Sequence, residues 1–253
     1  MLLRLPFDGR TDRWERRMKD EARARKARCY ADLKRKILTM AMAPGSNIDE
    51  ATLSRTYAIS RPPFREVLRQ LAGEGYVTLV ENRGARVSEM NHKTLRDFFV
   101  AAPMIYAAVS QLAARNATDL QIRRLKETQK LFRAAIAGGD VEARALNNER
   151  FHAIIGTMAD NIYLEPSLSR LLVDHARIGM TFYHPRSPQM ADNLKVAAEQ
   201  HDEFIALIEA RDDISISRLA VDHWELSRNQ IEMYVTPAGL DIPLDIATAS
   251  RHA

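Results

Sequence analysis

The chain has 253 residues, of which 46% are apolar and 28% charged, which is the composition of a folded protein with one or two hydrophobic cores. No run approaches the ~20 apolar residues of a membrane helix, and the first residues (MLLRLPFDGR) contain no signal-peptide core. The single cysteine, Cys29, excludes an internal disulfide framework. We therefore expect a cytoplasmic protein with no membrane partner. Residues 1–88 carry 19 Lys and Arg against 11 Asp and Glu, whereas residues 89–253 carry 18 against 22, which indicates one module for a polyanion and a second module for another ligand.

Residues 1–28 form a basic N-terminal extension with 10 Lys and Arg and 5 Asp and Glu. Mixed charge and few core-forming residues predict a solvated, frayed helix or a disordered arm. The alternative is an arm that follows DNA phosphates. A membrane-surface helix is disfavoured because the apolar face is thin.

Residues 29–42 are predicted to form an amphipathic helix. Its buried side contains Tyr30, Leu33, Ile37 and Leu38, and Pro44-Gly45 ends it. It would be the first helix of a domain that spans residues 29–90.

Residues 49–75 (DEATLSRTYAISRPPFREVLRQLAGEG) predict two helices joined by a tight turn. The first covers 49–57, and Ala58 and Ile59 form the turn. The hydroxyl of Ser60 is expected to cap the second helix, in which Pro62 and Pro63 are tolerated in the first turn. A buried stripe at i, i+3, i+4 and i+7 and a separate arginine stripe favour insertion into a DNA major groove; these stripes are Phe64, Val67, Leu68 and Leu71, and Arg61, Arg65 and Arg69.

A two-stranded hairpin follows these helices. Residues 76–80 and 85–87 have strand character, and Glu81-Asn82-Arg83-Gly84 is a turn with Asn and Gly where positive φ is needed. A helix-turn-helix followed by a basic hairpin is a winged helix-turn-helix.

This segment resembles the DNA-binding domain of the GntR family of bacterial transcription regulators. The resemblance lies in Pro44-Gly45, in Ser60-Arg61 through Pro63 to Arg65-Glu66, and in Asn82-Arg83-Gly84. It implies a double-stranded DNA operator as partner. The usual arginine and threonine of related proteins are replaced by Ala51 and Pro62, which alters base preference and some backbone contacts.

The predicted DNA-binding residues have different expected roles. Arg61 and Arg65, beside Ser60, either pair bidentately with guanine or contact phosphate. Arg83 and Arg86 on the wing, with Asn82 at its tip, reach backbone or minor groove. Arg55 and Arg69 contact phosphate or solvent.

Beyond Met90-Asn91 the pattern is helical throughout. Helices are predicted at 92–116, 118–137, 140–158, 161–182, 189–210 and 212–235, with breaks at Gly138-Gly139, Asp160-Asn161 and residues 184–188. Short connections predict an antiparallel all-α bundle over 91–235, and the tail 236–253 is expected to be loose. The fold class is therefore mostly α.

Asn148, His152, His201 and His223 stand out in the second half. Asn148 and His152 lie one turn apart on one helix face, and histidines from three bundle helices can converge on one ion. A single histidine in a helix is, however, more often a structural or surface residue. The order of these residues is similar to that of the FCD effector domain of the FadR branch of the GntR family, which implies a divalent transition metal (Zn, Ni, Fe or Mn).

Two departures from that branch concern the effector site. Asn148 stands where an aspartate is usual, so metal affinity is reduced or Glu149 turns in instead. The stretch VAAPMIYAAVSQ lacks the usual ligand-binding arginine, so the small-molecule effector is expected to differ from the usual small organic acids.

Together these features predict a ligand-responsive transcription regulator that binds a palindromic operator as a homodimer, and not an enzyme. The alternatives are a metal-dependent hydrolytic enzyme that uses the three histidines, and a protein-interaction bundle without catalytic activity.

Overall fold

The computed structural model describes residues 9–81, 83–182 and 188–235. The predicted tail at 236–253 and the wing residue Asn82 lie outside these ranges. The elements fall into an N-terminal head and a helical body. The head contains α1 (Gly9–Leu38), β1 (Asn47–Ile48), α2 (Glu50–Thr56), α3 (Arg61–Gly73), β2 (Val77–Val80) and β3 (Gly84–Val87), and the body contains α4 (His92–Asn116), α5 (Asp119–Ala137), α6 (Val141–Met158), α7 (Leu164–Phe182), α8 (Pro188–Ala210) and α9 (Asp213–Val235).

The head is a winged helix-turn-helix, as predicted. β2 and β3 form the antiparallel hairpin, and the short strand β1, which the sequence pattern did not indicate, adds to the other edge of β3 in the order β1-β3-β2. The inner faces of the three helices and the hairpin share one core, which includes Leu33, Ile37, Phe64, Val67, Leu68, Leu71, Ala85 and Val87. This core fixes α3 against the wing.

The first helix differs from its predicted bounds at both ends. α1 begins at Gly9, so the N-terminal extension and the first head helix are one continuous helix. It ends at Leu38 and not at Met42, because Met40 takes a left-handed conformation with φ of 58°. Pro44-Gly45 therefore lies in the following loop.

Ser60 is the N-cap residue of α3 by backbone conformation, but the expected hydroxyl cap is wrong, because its side chain makes no capping hydrogen bond. An N-cap oxygen accepts from the N–H groups at the second and third helical positions. These positions are Pro62 and Pro63, and proline has no N–H. The exposed Ser60 hydroxyl is thus left without its usual helix partner.

The body is the predicted all-α bundle. Asn91 caps α4 and Thr118 caps α5, each with a complete capping box. α4 has the length and hydropathy of a membrane span, but core helices meet the same criterion, and its Phe98, Ala102 and Val109 are buried in the bundle core.

Two body helices pack against the head. Val173 and Ala176 of α7 are buried within the head core, and Leu146 of α6 packs against it. Ion pairs join Lys34 Nζ to Glu149 over 3.2 Å and link Arg35 to Glu142 over 2.8 Å. The winged helix is therefore seated on the same helices whose other faces line the body interior.

Candidate functional site

The predicted DNA-binding residues of the helix-turn-helix lie at the surface. Ser60, Arg61, Arg65 and Arg69 of the α3 segment are exposed, as is Arg55 in α2. The buried stripe of α3 faces the core, so its arginine stripe faces outward. This orientation could be predicted from the sequence, because helical spacing separates the two stripes.

Arg65 has a partner that the sequence did not reveal. Its Nε lies 3.3 Å from Glu50 Oε2 at the start of α2, and the Arg65 side chain is still 60% exposed. A cleft of 450 Å³ between α3 and the wing is lined by both residues, with Leu68, Arg69, Leu79, Val80 and Gly84. Glu50 thus orients Arg65 without covering it.

The wing places Arg83 at the exposed turn and Arg86 on β3. Arg86 is half-buried, and its Nε donates to Asn47 Oδ1 over 3.3 Å. Arg83 is therefore the freer of the two to reach beyond the protein surface.

Three of the predicted metal ligands converge in the body. His152 of α6, His201 of α8 and His223 of α9 are buried, and one potential ligand atom from each lies within 4.8 Å of the others. We call these three residues the histidine cluster. Zn–N bonds of about 2.0–2.1 Å place tetrahedral donors about 3.3 Å apart, so a small contraction would bring the three rings to ligating distance.

Hydrogen bonds to two glutamines set the tautomers of the cluster. His201 Nδ1 lies 3.1 Å from Gln129 Oε1, and His223 Nδ1 lies 2.8 Å from Gln200 Oε1. Gln129 donates its amide to Ala198 O and to Asp202, so its oxygen must accept from His201. We therefore assign the protons to Nδ1 in both rings, which leaves the Nε2 lone pairs available as ligands.

The unpaired ring atoms fit a metal site. His152 Nε2 and His201 Nε2 are buried and have no hydrogen-bond partner in the described part of the chain, an arrangement that is costly unless another group satisfies them. Burial, with smaller contributions from neighbouring imidazoles, lowers the pKa of His152 and His201 well below 6.5 and that of His223 to about 3. Neutral imidazole is the ligand form, so the donor set suits a divalent transition metal.

The fourth predicted ligand, Asn148, is buried one turn before His152 on α6. The suggestion that Glu149 turns inward is wrong, because its carboxylate pairs with Lys34 of the head. Asn148 and Glu149 therefore lie on different sides of α6. Of these two residues, only Asn148, with its neutral amide, lies on the side of the histidine cluster.

Sequence reasoning missed His175 on α7. It is buried, its ring centroid lies 5.6 Å from that of His152, and its Nδ1 lies 2.6 Å from the Tyr106 hydroxyl. Burial lowers its pKa to about 4. Its position in the stripe Leu168, Leu171, Leu172, His175 was the available signal, since a histidine there must face the apolar interior.

Comparison with known proteins gives the same division of the chain. The family model described as bacterial regulatory proteins, gntR family, matches residues 25–87, and the model of the FCD domain matches residues 99–226. The first match covers the head and the second covers the body, including the histidine cluster.

Curated relatives are bacterial regulators. The HTH-type transcriptional repressor RspR of Escherichia coli is 26% identical over 77% of this chain and 83% of its own length, and the repressor GlaR of the same organism is 27% identical over 77% and 90%. The Nta operon transcriptional regulator of Aminobacter aminovorans is 37% identical over a shorter stretch, 33% of this chain and 40% of its own.

Solved structures share the fold. Escherichia coli McbR/YncC superposes with a TM-score of 0.67 at 18% identity, over 83% of this chain and 96% of its own. Lar of Listeria monocytogenes superposes with a TM-score of 0.52 at 16% identity, over 82% and 97%. The family matches and the curated relatives support a DNA-binding regulator, and they do not support the hydrolytic enzyme or the interaction bundle. The chain belongs to the GntR family of bacterial transcription regulators, with an FCD domain as its ligand-responsive body.

Proposed function

We propose that this regulator reads its operator with Arg61 and Arg65, holds a divalent metal on the histidine cluster, and transmits occupancy of that site to the head through α6 and α7. The observation that carries the proposal is the convergence of three buried neutral imidazoles, one of which, His152, lies on α6, a helix that also packs against the head.

The DNA-binding half rests on the exposed arginine face of α3. Arg61 lies in the first turn, the part of a recognition helix that meets base edges, and Arg65 follows one turn later. Either guanidinium can pair with guanine O6 and N7. Ser60, Arg55, Arg69 and the wing residues Asn82, Arg83 and Arg86 would contribute mainly phosphate contacts.

The sensing half rests on His152, His201 and His223, with the Asn148 amide oxygen as a weaker fourth donor. A metal bound there, Zn, Ni, Fe or Mn, would supply an open Lewis-acid position for an anionic oxygen of a small effector. Tyr106, which lies in the α4 stretch that lacks the usual arginine, and His175 of α7 would present polar groups to that effector.

Transmission to the head follows from the two-sided packing of α6 and α7. His152 lies three residues from Glu149, which is ion-paired to Lys34, and His175 lies two residues from Arg177, which donates to Ser88 O over 2.6 Å. A ligand that favours one position of these helices shifts the population of the matching head position.

A symmetric homodimer in the bacterial cytoplasm completes the proposal. Val100 and Met104 of α4 lie one turn apart and are 66% and 64% exposed, which supports this face as the contact with a second copy. Two heads would then meet half-sites separated by about one helical turn, on the order of 34 Å.

Selection from a random pool of duplexes tests the DNA-binding half. We expect the full-length protein to enrich a motif with two-fold symmetry. Recovery of no preferred sequence, with the protein folded and dimeric, would count against base reading by this head.

Elemental analysis combined with native mass spectrometry tests the sensing half. We expect about one transition metal per chain after mild purification, and loss of it in His152→Ala and in His201→Ala. The matched control is His92→Ala, since His92 is exposed at the start of α4. Equal metal content in all four proteins would remove the histidine cluster as the site.

A further inference from the structure

We infer that residues 9–24 of α1, here called the arm, form a second DNA-binding element that runs beside the duplex and contacts its phosphates. This inference rests on the proposed function, since it requires that α3 bind DNA. The arm lies outside the match to the family model, which begins at residue 25.

Within the arm, the side chains that the structure describes are those of residues 17–24, and they pack into no core. Residues 17–24 are all exposed, whereas the buried positions of α1 begin at Cys29. Helices of 12–15 residues are marginal on their own in water, and a helix that is polar on all sides has no core to stabilise it. A charged partner would supply the missing stabilisation.

The contacts between α1 and α3 fix where the arm points. Lys26 pairs with Glu66 over 2.5 Å, and Tyr30 donates to Glu74 over 2.5 Å. The partners advance in the same direction along both helices, so α1 and α3 run in the same sense where they touch. The N-terminal end of α1 therefore projects to the side on which the N-terminus of α3 would meet DNA.

The length of the arm carries it past the recognition helix. At 1.5 Å per residue, Gly9 lies about 25 Å beyond Lys26, whereas Arg61 lies only about 7 Å beyond Glu66. Even at a crossing angle of about 50°, the arm extends about 16 Å along α3. The major groove is about 8.5 Å deep, so with α3 seated in the groove the arm must pass alongside the backbone.

The positive charge of this segment suits a position beside the DNA phosphates. Residues 17–28 carry six Lys and Arg and two Asp and Glu. Arg17 pairs with Glu21, and Lys26 with Glu66, whereas Arg23 and Arg28 form no ion pair with a described residue. Across residues 9–28 the apolar side chains are Trp14, Met18 and three alanines, which is too small an apolar face for a membrane-surface helix.

The salt dependence of DNA binding tests the inference. We compare the full-length wild type with Arg17→Gln/Lys19→Gln/Arg23→Gln on a 30-base-pair duplex of mixed sequence, by fluorescence anisotropy. Each lost phosphate contact lowers the slope of log K against log salt by about 0.9, so we expect a slope shallower by about 2–3 and affinity at least tenfold weaker near 100 mM salt. Glutamine keeps helix propensity, so circular dichroism should confirm an unchanged fold.

The matched control removes the same charge from the body. Arg123→Gln/Arg124→Gln/Lys130→Gln lies on exposed positions of α5 and should leave the slope near that of the wild type. Equal slopes for the two triple variants would overturn the inference that the arm contacts DNA. If the wild type but not the arm variant then bound phosphatidylserine vesicles, the arm would be a membrane-binding segment instead. Failure of the proposed function would give a different result, because the wild type would then enrich no preferred sequence in the selection from random duplexes.

Discussion

The buried imidazoles of the body are held neutral and oriented by their surroundings. His201 stacks on Phe151 with ring centroids 3.9 Å apart, and its Nδ1 proton is fixed by Gln129. Neither feature adds a charge, and the buried Nε2 atom of His201 has no hydrogen-bond partner in the described part of the chain. The ring is therefore neutral and oriented, which is the form of histidine that can bind a cation.

Cys29 gives a prediction about chemical reactivity. The thiol is fully buried in the head core, and burial, followed by the charge of Asp32, raises its pKa to about 11. Since the thiolate is the nucleophile, native protein at pH 8 should react with a thiol reagent at least a hundredfold more slowly than the urea-unfolded chain. The rate should rise only as the pH approaches 11.

A thiol count with Ellman's reagent measures this directly. The unfolded chain is the internal control and should release one equivalent. Rapid, stoichiometric reaction of the folded protein at pH 8 would mean that Cys29 is not part of a closed core.

Gly84 gives a prediction about the wing. Its φ is +82°, and a Cβ there would lie 3.0 Å from Glu50 Oε1, the carboxylate that orients Arg65. Gly84→Ala should cost about 1–2 kcal/mol from backbone strain and weaken DNA binding by displacing Glu50. Gly73, which has open space around its Cβ position, is the matched control.

Thermal unfolding and anisotropy on the same samples check both effects. We expect Gly84→Ala to lower Tm by about 3–6 °C and Gly73→Ala to leave it equal or slightly higher. A Gly84→Ala protein with wild-type Tm and DNA affinity would show that neither stability nor DNA binding requires glycine at this position of the wing.

At the level of elements, α7 connects the two domains. Val173, Ala176 and Arg177 belong to the head interface, whereas His175 faces the histidine cluster. The Arg177 side chain is fully buried and pairs with Asp174. A rigid helix with both faces engaged transmits a displacement because packed interfaces are not continuously deformable.

Arg177→Met should therefore destabilise the protein by about 3 kcal/mol, since it leaves the Asp174 carboxylate short of a buried partner and Ser88 O without its donor. Urea unfolding provides the measurement. Asp174→Leu/Arg177→Met should recover much of the loss, because it removes the unpaired charge.

Arg170→Met provides the control within the same helix. Arg170 also contacts Asp174 but is 44% exposed, so its loss should cost no more than about 1 kcal/mol. Equal losses for Arg170→Met and Arg177→Met would indicate that burial of Arg177 does not secure the interface.

The elements also show what the sequence could and could not predict. Long periodic segments such as α4 and α5 were predicted to within one residue, because amphipathic spacing and caps at Asn91 and Thr118 are local signals. β1 was missed because a strand of two residues is too short to show an alternating hydrophobic pattern. The end of α1 was misplaced because the left-handed turn at Met40 carries no glycine.

The candidate functional site was likewise predictable only in part. His152, His201 and His223 were found because their order resembles a family pattern, and they do converge. The Glu50–Arg65 pair and the His175–Tyr106 contact join residues 15 and 69 positions apart, and no local pattern specifies such tertiary contacts.

At the level of the whole molecule, self-association gives a further prediction. If the proposed homodimer forms through the exposed apolar face of α4, Val100→Glu/Met104→Glu places two charges in the contact and should yield a monomer in analytical ultracentrifugation. Leu131→Glu on α5, where the side chain is 51% exposed, is the control and should leave the dimer intact. A dimer that survives the double substitution must use another face.

The account as a whole describes a basic head that binds DNA and an acidic body that responds to a small ligand. The most direct test is the affinity of Arg61→Ala/Arg65→Ala for the duplex that the wild type selects, measured beside Arg123→Ala/Arg124→Ala as a charge-matched control. We predict a loss of at least a hundredfold on that duplex for the first protein only, with the residual binding equal on any sequence. Sequence-specific binding of wild-type strength by Arg61→Ala/Arg65→Ala would contradict the account.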